Sequence, residues 1–142
     1  MATINPYLNF KGNCEEAMNF YKSAFNGQYM GEIMRYGGSP MEHDPKEANL
    51  VMHCTLDIGN GSYLMGSDSP SSYPTPTYGD GGMQIAIHPT SEDEAKNIFA
   101  SLSNGGNVLM PLEKTFWGAW FGILKDKYGI QWMINYQFEQ PK

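Results

Sequence analysis

Asn13-Cys14-Glu15-Glu16-Ala17-Met18-Asn19-Phe20-Tyr21-Lys22-Ser23-Ala24-Phe25 and Ser91-Glu92-Asp93-Glu94-Ala95-Lys96-Asn97-Ile98-Phe99-Ala100-Ser101-Leu102 are two readings of one pattern, offset by 78 residues from Asn13 to Ser91. Glu16 answers to Glu94, Ala17 to Ala95, Phe20 to Ile98, Tyr21 to Phe99, Ala24 to Leu102 and Gly27 to Gly105. Each segment opens on a capping residue with Glu three positions later, which predicts a reciprocal cap over the first-turn amides. Each carries apolar residues at i, i+3, i+4 and i+7, one face of a helix. Each stops at glycine, which takes a left-handed cap. Two helices in the same register predict two copies of one module.

Strands are expected around both helices. Residues 4–10 alternate, with Ile4, Leu8 and Phe10 on one side and Asn5, Tyr7 and Asn9 on the other. Residues 28–36 read as a second strand, 51–58 as a third, and 62–67 as a fourth after the Gly59-Asn60-Gly61 turn. The second copy gives 83–88, a strand opening over 107–111, a turn and strand within 115–124, and 130–138. Between the copies, residues 69–81 are rich in Pro, Ser and Gly, which predicts a strap or lid.

Composition narrows the function classes. The chain has 142 residues, 41% hydrophobic, with net charge −6. Nine basic residues are scattered, so no stripe exists to offset phosphates and no nucleic-acid partner is expected. No apolar run approaches the ~20 residues of a membrane span, and the start shows no signal segment, so no membrane partner and a cytoplasmic location are expected. Cys14 and Cys54 lack zinc or CxxC spacing and read as free thiols. Seven Phe, nine Tyr, three Trp and ten Met suit an adaptable apolar pocket or a filled core.

The strand-helix-three-strand order, performed twice, resembles the vicinal oxygen chelate superfamily of glyoxalase, bleomycin-resistance and ring-cleaving dioxygenase proteins. Pro6-Tyr7-Leu8-Asn9-Phe10, Glu15-Glu16-Ala17, Leu64-Met65-Gly66-Ser67-Asp68, Thr115-Phe116-Trp117-Gly118 and Gly129-Ile130-Gln131-Trp132-Met133 are similar to its PhnB-like branch. That branch sometimes carries the label of a demethylubiquinone methyltransferase domain. No GxGxx fingerprint between a strand and a helix accompanies that label here. The resemblance implies an α+β fold: two βαβββ modules, 1–68 and 82–142, joined by linker 69–81, with curved mixed sheets enclosing a cavity and helices outside. It also implies a homodimer.

Enzymes of the superfamily hold a divalent metal with one side chain from the first and one from the last strand of each module, commonly His or Gln, then Glu. Carried across, these positions fall at Asn5 or Pro6, Met65, Gln84 or Gly82, and Met133. No carboxylate or imidazole remains, so no metal and no cofactor are expected. A relocated site around His53, with Asp68 or Asp57, is the alternative. The inward face implied by the fold is neutral and partly aromatic, which suits a neutral or zwitterionic organic ligand. The candidate ligand-binding residues are Tyr7, His53, Met65, Gln84, Trp117, Trp120, Gln131, Met133 and Asn135. The same alternation fits a solvated sheet face. Three functions follow: a metal-free small-molecule-binding protein, a lyase, isomerase or dioxygenase using the shifted metal site, or a dimeric scaffold with a collapsed cavity.

Overall fold

A computed structural model describes residues 1–138. The chain divides into two compact units, Met1–Thr77 and Tyr78–Lys142. The first runs β1 (Tyr7–Phe10), α1 (Cys14–Phe25), β2 (Gln28–Tyr29), β3 (Met34–Arg35), β4 (Val51–Gly59) and β5 (Ser62–Asp68). The second runs β6 (Ile85–Ile87), α2 (Glu92–Ser103), β7 (Asn107–Lys114), β8 (Ala119–Lys125) and β9 (Gln131–Gln137). Both helices fall where the sequence repeat places them.

The two mixed sheets are wired alike. In the first, β1 lies parallel to β5, β5 antiparallel to β4, and β4 antiparallel to β2 and β3. In the second, β6 lies parallel to β9, β9 antiparallel to β8, and β8 antiparallel to β7. This is βαβββ twice, with the third element of the first copy broken into β2 and β3. Gly31, at φ +70, lies between those pieces and interrupts the extended run expected over 28–36.

Helix α1 buries Cys14, Ala17, Met18 and Tyr21, and α2 buries Ala95, Ile98, Phe99 and Leu102. Beneath them lie Leu8, Phe10, Cys54, Leu56 and Leu64 in the first unit, and Leu124, Trp132 and Ile134 in the second. Close approach rests on glycine. A Cβ on Gly66 would stand 3.2 Å from Met18 Sδ, and one on Gly122 would stand 2.7 Å from Phe99 Cε2.

The helix caps differ from the expected pair. Ser91 caps α2 as anticipated: its Oγ accepts from Glu94 N at 3.1 Å, and Glu94 Oε1 accepts from Thr90 N at 2.9 Å. Asn13 makes no side-chain cap. The first turn of α1 is capped from β5 instead, by Asp68. Its Oδ1 accepts from Gly12 N and Cys14 N, both at 2.9 Å, and its Oδ2 from Val51 N at 3.0 Å. A carboxylate is the stronger acceptor for a helix N-terminus and displaces the neutral carboxamide.

Candidate functional site

Strand alternation leaves one face of each sheet without its helix. In the first unit that face carries Tyr7 and Asn9 from β1, Met65 and Ser67 from β5, and His53 and Thr55 from β4. Register sets Tyr7 beside Met65 and Met65 beside Thr55. The Tyr7 and His53 rings stack, centroids 5.6 Å apart and planes 27° apart. Tyr7 OH lies 3.1 Å from His53 Nδ1, and His53 Nε2 lies 3.1 Å from Thr55 Oγ1. A neutral imidazole carrying its proton on Nε2 satisfies both: the phenol donates to Nδ1 and Nε2–H donates to the threonine oxygen. Three of the sequence-derived candidates, Tyr7, His53 and Met65, thus meet on one surface. Ser67 Oγ donates to Asn9 Oδ1 beside them at 3.2 Å.

The second unit's open face carries Gln131, Met133 and Asn135 from β9, paired with Lys125, Ile123 and Phe121 from β8. A pocket of about 380 Å³ lies over one end. Its walls are Leu109, Met110 and Ile123, with Gln84 and Gln131 as its neutral polar groups. The segment around Gly81 forms its rim. Gly81 N donates to Gln131 Oε1 at 3.1 Å, Gln131 Nε2 donates to Gly79 O at 3.4 Å, and Lys125 Nζ meets Asp80 Oδ1 at 2.6 Å. Lys125 holds the Asp80 carboxyl below its ordinary range by that hydrogen bond and by its charge. Gln131 is buried, with both ends of its carboxamide committed to this strap. Gln131 thus both lines the pocket and holds its rim.

The two tryptophans part company. Trp117, in the β7–β8 turn, packs edge-on to Phe121 at 6.0 Å and reaches the Met133–Asn135 face. Trp120 faces the helix, with Lys96 Nζ of α2 4.8 Å from its ring centroid. The two tryptophan candidates therefore lie in different surroundings, Trp117 beside Phe121 and Trp120 beside Lys96 of α2. Asn135 Oδ1 is buried and lacks a hydrogen-bond partner. An acceptor left so costs about 1–3 kcal/mol.

The metal positions of the superfamily fit no hard or borderline divalent ion. Register puts Tyr7 beside Met65 and Ala86 beside Met133, with Asn5 and Gln84 each two residues earlier. Neutral thioether and carboxamide groups do not replace a carboxylate for such ions. Among the described residues, no three His, Cys, Asp or Glu side chains are placed to share an ion. Asp68 is engaged by the α1 and β4 amides, and Asp57 Oδ1 accepts from Gly59 N at 2.8 Å.

Two βαβββ units, each a mixed sheet backed by one helix, define the glyoxalase/bleomycin-resistance/dioxygenase fold. A domain of that superfamily from Frankia sp. EAN1pec is similar at TM-score 0.68 and 10% identity, over 96% of this chain and 98% of that one, a likeness of fold alone. The chain belongs to the PhnB-like family, whose model, described as 3-demethylubiquinone-9 3-methyltransferase, matches residues 2–135. Protein PA1353 from Pseudomonas aeruginosa is 36% identical over 96% of this chain and 98% of its own, with TM-score 0.83. A PhnB protein from Bacillus cereus is 33% identical over 95% and 99%, with TM-score 0.75.

Proposed function

We propose that this protein is a metal-free small-molecule-binding protein whose ligand is neutral or zwitterionic. The observation that carries the reading is Asn135 Oδ1: a buried acceptor with no partner, on the same face as Met133, Phe121 and Trp117. A ligand N–H or O–H satisfies it, and the thioether and aromatic neighbours take the ligand's apolar body. The adjoining pocket supports the same chemistry, since its one cation, Lys125, is neutralised by Asp80. A dianion finds no free guanidinium or ammonium there. Tyr7, His53 and Met65 offer a second surface of the same character on the first unit.

The family model's methyltransferase description does not supply the activity. Methyl transfer needs a bound methyl donor, and this chain lacks the glycine-rich strand-to-helix fingerprint that cradles nucleotide-type cofactors. Homodimerisation and a cytoplasmic location belong to the same proposal. Exposed Val108, Leu109 and Met110 on β7 suit a covered edge, and light scattering of the purified protein tests it.

The ligand reading is tested by thermal shift against a panel of neutral aromatic amides and alcohols. Binding to the folded chain raises the melting midpoint. Asn135→Leu is expected to weaken a panel hit about tenfold, the worth of one net hydrogen bond at ~1.4 kcal/mol. No hit across the panel favours a scaffold without a ligand, and a hit held equally by Asn135→Leu overturns the role of Asn135 Oδ1.

A further inference from the structure

The two cysteines are far apart in sequence and adjacent in space. Cys14 opens α1, Cys54 lies in the middle of β4, and their sulfurs are 4.0 Å apart. Both are buried and neither is disulfide-bonded. A disulfide requires about 2.0 Å between sulfurs, so closure brings the two sulfurs about 2 Å closer. Gly66, register partner of Cys54, makes the room: a Cβ there would stand 3.3 Å from Cys14 Sγ. Either sulfur can be the donor in the hydrogen bond between them, and the Cys54 thiol also lies 3.6 Å from Gly66 O. Neither thiol takes part in the Tyr7–His53–Thr55 chain on the opposite face of β4.

We propose that Cys14 and Cys54 form a dithiol modification site, oxidised by a small hydroperoxide to a disulfide that ties the first turn of α1 to β4. The thiolate of one cysteine attacks the peroxide. A sulfur–oxygen bond forms, the O–O bond breaks, and the leaving oxygen takes a proton to depart as water or an alcohol. The other cysteine, 4.0 Å away, then attacks the sulfenic acid. The sulfur–sulfur bond forms, the sulfur–oxygen bond breaks, and water leaves with the proton of the attacking thiol. Two thiols lose two electrons in all, and the peroxide gains them. Both thiols are buried between α1 and β4, so access requires a local opening of that packing. The site stands independently of the ligand reading.

The test is hydrogen peroxide treatment of the intact reduced protein, followed by denaturation, alkylation and mass spectrometry. Both thiols should vanish together with the loss of two hydrogens, within one chain, and dithiothreitol should restore both. Cys14→Ser and Cys54→Ser should each leave a sulfenic acid on the remaining cysteine that dimedone traps, with no disulfide within the chain. Retention of two alkylatable thiols in the wild-type chain, at peroxide doses that oxidise free cysteine, overturns the proposal without recourse to variants. Disulfides formed only between chains overturn it as well.

Discussion

Asp68→Asn is the sharpest probe of how the first unit is held. Asp68 stands at the end of β5 with only 2% of its surface exposed. It receives three backbone amides, two at the start of α1 and one at the start of β4, and its carbonyl accepts from Tyr36 OH at 3.0 Å. Asparagine keeps one oxygen and turns the other into an NH₂. With the oxygen placed toward Gly12 and Cys14, the NH₂ faces the Val51 amide, donor against donor. One charge-assisted bond of about 1.5–3 kcal/mol is lost, and the two that remain become ordinary ones worth about half as much. The expected loss is about 3–6 kcal/mol, a large share of the ~5–15 kcal/mol that holds a domain. For a chain of 142 residues that is roughly 10–20 °C in melting midpoint. Urea unfolding followed by far-ultraviolet circular dichroism measures it. All three tryptophans lie in the second unit, so their fluorescence reports that unit separately. A loss below about 1 kcal/mol refutes the view that Asp68 is the junction of α1, β4 and β5.

Asp126→Asn is the counterpart in the second unit. Asp126 takes the amides of Tyr128 and Ile130 and the Trp132 indole N–H, and its loss should cost about 2–4 kcal/mol and shift the tryptophan emission during unfolding. Gly122→Ala drives a methyl into Phe99 and Leu112, an overpacking cost of about 1–3 kcal/mol readable by the same denaturation. Gln131→Ala should release the strap at Gly79 and Gly81, seen as faster amide hydrogen exchange over 79–82. The strap should also loosen with acid. The Asp80 carboxyl is depressed in the folded chain, so its hold is complete above the ordinary carboxylate range and fades as pH falls through the lowered value. Exchange at 79–82 that is indifferent to both acid and Gln131→Ala refutes this fastening.

The helices were legible because a 3.6-residue pattern spans twelve residues in each, long enough to fix register. The strands were less so. Ile4 belongs to the alternation on paper, yet it is 97% exposed and precedes β1, since three residues of alternation carry little information. Pro6 keeps the ladder going by its carbonyl, which accepts from Met65 N at 3.1 Å. Met83 likewise falls outside β6 and is 82% exposed. On the site, strand parity correctly grouped Tyr7, His53 and Met65, and separately Met133 and Asn135. It gave no placement for Trp117 and Trp120, because Gly118 and Ala119 hide where the strand begins. The work of Asp68 and Gln131 was invisible. Their partners lie 17 to 56 residues away, and no local spacing announces them. The signal available for Gln131 was the run Gly79-Asp80-Gly81-Gly82, a segment suited to lie close against a sheet.

Elemental analysis of the protein, purified without chelators and with its thiols reduced, meets the central claim head-on. Neutral groups at Asn5, Met65, Gln84 and Met133 predict manganese, iron, nickel and zinc far below one equivalent per chain. Any one of these metals at a full equivalent, retained through gel filtration, contradicts it.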